Sequence, residues 1–115
     1  MTETIAVVPT ITTLRKYGFG GADGTLEDAR DDWLALLASQ GGVCPICEKV
    51  PSTGRFVIDH FHARGFKKMS PEEKRAYVRG LTCWFDNHAF LGRGITVAKA
   101  RNVVAYLERF EARRP

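Results

Sequence analysis

Between residues 26 and 40, Leu26, Ala29, Trp33, Leu36 and Leu37 recur at the three- and four-residue steps of one helix face, with Glu27 and Asp28 in the first turn. Thr25 followed by Asp28 forms a capping-box pair and Gly41-Gly42 a stop, so the pattern predicts a helix over 26–40 that delivers the chain to Cys44. After the turn Pro51-Ser52-Thr53-Gly54, the run Arg55–His60 is apolar and β-branched and reads as a strand with Asp59 and His60 at its end. Ser70-Pro71-Glu72-Glu73 combines a cap, a proline at the first helical position and a capping-box glutamate, which predicts a short helix over 71–77. Val78–Thr82 follows as a second short strand, and a helix starting near Asp86 runs through Leu91, closed by Gly92 and Gly94.

Thr96 caps a last helix in which Val97, Ala100, Val103, Val104, Leu107 and Phe110 form one apolar stripe, read here as scaffold. Residues 1–24 are weakly patterned and interrupted by Gly18, Gly20, Gly21 and Gly24. They read as an N-terminal arm and flexible loop in which Leu14–Tyr17 could form one helical turn, leaving 25–115 as the working domain.

At 115 residues the chain fits one domain, small enough that a structural metal would help it fold. A formal charge of +4 favours a polyanionic partner. Ile5–Val8 is too short for a signal-peptide core, and nothing approaches the roughly 20 apolar residues of a membrane span. The 3 cysteines cannot all pair within the chain, and two have knuckle spacing, which points to a reducing, cytoplasmic compartment.

Every cysteine and histidine lies within one stretch, from Cys44 to His88. Cys44-Pro45-Ile46-Cys47 places two thiolates on one tight turn, and Cys83 adds a third. Zn²⁺ would accept Asp86 as the fourth ligand, three residues after Cys83 as in the knuckle itself, with His88 as the alternative. Three buried cysteines packing as small apolar groups is the competing explanation.

Asp59-His60-Phe61-His62 offers what phosphodiester cleavage requires: a hard oxygen ligand for Mg²⁺ or Mn²⁺ and an imidazole able to take a proton from water near neutral pH. Asn87 could add a second oxygen ligand, and His62 could orient the phosphate. Arg64, Lys67, Lys68, Lys74, Arg75, Arg79, Arg93, Lys99 and Arg101 flank these residues and would neutralise DNA phosphates. Trp84 and Phe85 are read as packing.

The ordered set Cys44-x-x-Cys47, Asp59-His60-Phe61-His62, Val78-Arg79-Gly80-Leu81-Thr82-Cys83, Asn87 and Leu91-Gly92, with Gln40-Gly41-Gly42-Val43 ahead of it, resembles the recombination endonuclease VII family, a zinc-containing branch of the HNH or ββα-metal nucleases. The resemblance implies an α+β fold: a small ββα-metal core pinned by a zinc knuckle and flanked by N-terminal and C-terminal helices. It implies His60 as general base, Asp59 and Asn87 as ligands of a catalytic Mg²⁺ or Mn²⁺, His62 as an assisting group, and Cys44, Cys47 and Cys83 as three of four zinc ligands.

Two departures stand out. Asp86 replaces the usual fourth cysteine, and the step from Asn87 to Gly92 is one residue longer than usual, so a register taken from Gly92 would put His88 at the catalytic metal in place of Asn87. The implied function is a metal-dependent DNA endonuclease of bacterial or phage-infected cells. The alternative is a zinc-stabilised DNA-binding module without catalysis. A homodimer could form through the Trp33 helix or the last helix.

Overall fold

The computed structural model describes residues 5–114. Helices α1 (Ile11–Lys16) and α2 (Leu26–Ser39) precede strand β1 (Val57–His60), followed by α3 (Pro71–Ala76), strand β2 (Val78–Thr82), α4 (Trp84–Ala89) and α5 (Val97–Glu111). The architecture is a small α+β arrangement around one antiparallel two-stranded sheet.

The local signals act as their chemistry requires. The Thr25 hydroxyl accepts from the Asp28 amide at 3.1 Å while the Asp28 carboxylate accepts from the Thr25 amide at 2.9 Å. Ser70 and Glu73 close the same kind of box, with Pro71 at the first helical position.

Ile58 pairs with Leu81 and Asp59 with Gly80. Because side chains alternate along a strand, Ile58 and Leu81 enter the core while Asp59 faces the opposite side, toward α4. The core joins them to Leu14, Phe19, Ala29, Trp33, Leu37, Cys44 and Phe56, with Trp33 meeting the Phe56 ring edge-on at 6.3 Å.

The register breaks between Asp59 and His60, because His60 pairs with Val78. Arg79 is therefore the extra residue of a β-bulge, a device that re-aims a side chain.

Three expectations are corrected. The segment read as an arm and flexible loop is packed from α1 onward: Leu14 and Phe19 are 0% and 1% exposed. Gly18 sits so close to α3, at φ +78°, that a Cβ there would fall 1.9 Å from the Pro71 carbonyl oxygen. The weak pattern arose because this segment anchors through two isolated large side chains and a tight glycine turn, which periodicity does not register. The last helix forms at the expected place, but none of its residues is buried; Val103, Val104, Leu107 and Phe110 are about half exposed, so it does not serve as core scaffold. Trp84 and Phe85, read as packing, are 64% and 63% exposed, because α4 turns its other face to Asp59 and the cysteines.

Candidate active site and metal centre

The knuckle begins where α2 ends. The Cys44 amide donates to the Lys49 carbonyl at 2.9 Å and the Glu48 amide to the Cys44 carbonyl at 2.8 Å, folding Cys44–Lys49 into a tight turn. Glu48 takes a left-handed conformation, φ +60°, unusual for a residue with a side chain and imposed here by the turn. Cys83 caps α4, its sulfur accepting from the Asp86 amide at 3.4 Å. This brings Asp86, in the first turn, back onto Cys83.

Potential ligand atoms of Cys44, Cys47, Cys83 and Asp86 all lie within 4.8 Å of one another. Asp86 Oδ2 is 3.0 Å from Cys83 Sγ and 3.5 Å from Cys44 Sγ, and the sulfurs of Cys47 and Cys83 are 4.0 Å apart. Burial first, then the Asp86 carboxylate, pushes the Cys83 thiol up to about 12. Hydrogen bonding from Cys83 holds Asp86 below the usual carboxylate range against the opposing effect of burial. At Cys44 burial alone would raise the thiol, yet the backbone amides of Cys47 and Cys83 bring it down.

Asp86 is 6% exposed and has no ion-pair partner among the described residues. A buried carboxylate ringed by three thiols fits a cation that replaces the thiol protons, and the set could hold a metal such as zinc. His88 is not part of this cluster. Its ring stacks on Trp84 at 4.8 Å and 7°, on the exposed side of α4.

One strand away, Asp59 is 4% exposed and both of its oxygens are engaged. Arg79 Nε donates to Oδ2 at 2.7 Å and Nη2 to Oδ1 at 2.9 Å, a two-pronged pair, while the Asn87 amide donates to Oδ1 at 3.2 Å. Asn87 and Asp59 thus stand side by side.

His60 occupies the next position on the other side of the strand end. Its ring lies 4.6 Å from His62, 4.6 Å from Phe66 and 5.2 Å from Tyr17, and it enters no side-chain hydrogen bond among the described residues. Burial first, then repulsion from His62, lowers its proton affinity, with the Asp59 charge opposing. His60 and His62 open on a shallow cleft shared with Phe66, Lys67 and Lys68.

The recombination endonuclease VII family model matches residues 14–109. The chain belongs to the recombination endonuclease VII family. No curated protein and no solved structure matches it. Membership points to a nuclease acting on DNA. No helix among the described residues is long and apolar enough to cross a membrane.

Sequence reasoning placed Arg75 and Arg79 among the DNA contacts, and the structure engages both elsewhere. Arg75 forks onto Asp32 at 3.0–3.2 Å with its guanidinium 4.7 Å over the Phe19 ring, and Arg79 holds Asp59. Neither pairing has a local sequence signal, since one depends on how α3 docks and the other on a bulge. Tyr17, beside His60, was also missed because it lies in the segment read as loose.

Proposed function

We propose that the protein is an HNH-type DNA endonuclease in which His60 activates water and Asp59 and Asn87 hold one divalent ion, Mg²⁺ or Mn²⁺. The observation that carries this reading is the juxtaposition, at one strand end, of a buried carboxylate beside an amide with an imidazole that favours its neutral form. Hard oxygen donors suit such an ion, and when bound it would stabilise charge on the phosphate and the leaving oxygen. The chain's own groups then have separable tasks. His60 takes the proton from water, Lys67 and Lys68 neutralise phosphate at the mouth of the cleft, and exposed His62 contacts the phosphate.

A structural Zn²⁺ held by Cys44, Cys47, Cys83 and Asp86 would pin the knuckle to the start of α4 and thereby fix Asn87, the residue after Asp86, against Asp59. The stacking of His88 on Trp84 supports Asn87 as the catalytic ligand and Asp86 as the zinc ligand. Cysteines gathered for metal binding fit a reducing cytoplasm. The half-exposed apolar stripe of α5 supports a homodimer formed through that helix.

The test is conversion of supercoiled plasmid to nicked and linear forms in EDTA, Mg²⁺ and Mn²⁺, with His60→Ala alongside. Metal-dependent conversion that the substitution lowers by about 10²–10⁴-fold is expected for a general base. Cleavage at the undiminished rate would refute the assignment, and binding without cleavage under any ion would favour the non-catalytic DNA-binding module.

A further inference from the structure

The site contains a competitor for its own metal. Asp59 is 95% withdrawn from solvent at its side chain, and the Arg79 guanidinium, 38% exposed, covers both carboxylate oxygens at 2.7 and 2.9 Å. Such a fork occupies the faces of the carboxylate that a cation would approach, and it places a full positive charge beside any ion that arrived. The remaining neighbour, the Asn87 amide, donates to Oδ1 through nitrogen and so also presents its positive end.

The bulge is what creates this arrangement. Asp59 pairs with Gly80 and His60 with Val78, so Arg79 is left out of the ladder between them. In an unbulged pair it would stand opposite His60; as the extra residue it is turned onto Asp59. Its exposed outer edge gives it room to leave, whereas Asp59 is fixed by burial.

We propose that Arg79 is a gate on the Asp59 metal position: it neutralises the buried carboxylate until a divalent ion enters, and the ion binds Asp59 only by turning the guanidinium out. This rests on the reading of Asp59 as a metal ligand given above. The gate makes metal affinity the difference between two cations competing for one carboxylate. Removing the guanidinium should therefore tighten metal binding even though it removes a stabilising partner.

The test uses the full chain carrying one equivalent of Zn²⁺, with free Mn²⁺ followed by electron paramagnetic resonance in the absence of DNA. Arg79→Gln is expected to bind Mn²⁺ about tenfold more tightly than the unsubstituted protein. Arg79→Lys, which keeps the charge but cannot fork, should fall between them. Unchanged or weaker Mn²⁺ binding by Arg79→Gln, with binding abolished by Asp59→Asn, would overturn the gate and leave Asp59 as a ligand. Mn²⁺ binding that Asp59→Asn does not alter would overturn the ligand reading and the gate with it. Should Arg79→Gln fail to fold, Arg79→Lys decides alone: tighter binding supports the gate, and unchanged or weaker binding overturns it.

Discussion

Gln40 and Leu81 exchange two hydrogen bonds: the Leu81 amide donates to Gln40 Oε1 at 2.8 Å, and Gln40 Nε2 donates to the Leu81 carbonyl at 2.6 Å. A side-chain amide thus does for the free edge of β2 what a third strand would do. The same Nε2 also reaches the Val43 carbonyl at 2.9 Å, tying the strand that leads to Cys83 to the turn that leads to Cys44. Gly80 leaves the room this requires, since a Cβ there would lie 2.9 Å from Gln40 Oε1.

Gln40→Ala should therefore leave both backbone groups of Leu81, a residue 0% exposed, without partners. A loss of about 1–3 kcal/mol in unfolding free energy is expected from denaturant titration. Gln40→Glu keeps the acceptor but loses the donor and should also destabilise. A Gln40→Ala protein as stable as the original would show that water replaces the amide at no cost.

The His60 environment sets the pH at which a general base can work. A lowered proton affinity keeps the imidazole neutral below its ordinary 6.5, so the acid limb of kcat/KM should lie below pH 6.5, with activity lost as pH falls through it. Burial is the larger cause. Repulsion from His62 is the second, so His62→Ala should move the limb upward in pH as well as lowering the rate. A limb that stays in place or moves downward would show that His62 does not act on His60 through charge.

The candidate metal cluster differs from four sulfurs in one position, and that position can be exchanged. Asp86→Cys supplies a softer ligand from the same turn of α4 and should raise Zn²⁺ affinity, read by competition with a chromophoric chelator. Asp86→Ala should lower it and reduce thermal stability, because three thiols then remain with no fourth donor. Equal Zn²⁺ affinity in all three proteins would mean that Asp86 is not a ligand.

How much of this was legible beforehand follows the range of the interactions. The Thr25–Asp28 and Ser70–Glu73 caps are three-residue relations, and both helices begin where those pairs lie. The two strands and the cluster of Cys44, Cys47, Cys83 and Asp86 were legible because spacing and ligand chemistry constrain them directly. The Arg79 bulge was not, since nothing in Val78-Arg79-Gly80 states which residue leaves the ladder. The packing of Leu14 and Phe19 depends on α2 docking against them and on Arg75 of α3 covering the Phe19 ring, and the exposure of Trp84 depends on which face of α4 the cysteines claim.

That exposure gives Trp84 an expected role of its own. Its ring stacks flat on His88 and is otherwise open to solvent, a surface on which an unpaired base could stack, and Asn87 is three residues away on the same short helix. Trp84→Ala should change stability by less than about 0.5 kcal/mol, as surface substitutions do. It should weaken binding to DNA containing unpaired bases by about 1–3 kcal/mol, measured with Ca²⁺ in place of the cleavage-supporting ion. A large loss of stability with unchanged DNA affinity would return Trp84 to a packing role.

The apolar stripe of α5 leads to a last expectation about assembly. Leu107 and Phe110 are 60% and 49% exposed on a helix with no buried residue, and Val103 and Val104 continue the same face. A second copy laying its own α5 along this stripe would bury it by the same ridge-in-groove packing that joins helices within a domain. Sedimentation velocity across a concentration series should then show a monomer–dimer equilibrium, and Leu107→Glu with Phe110→Glu should shift it to monomer. Because α5 contributes nothing to the core, the same double substitution should leave the thermal transition of the monomer in place. A protein that sediments as a monomer at every concentration would remove α5 as a dimer interface.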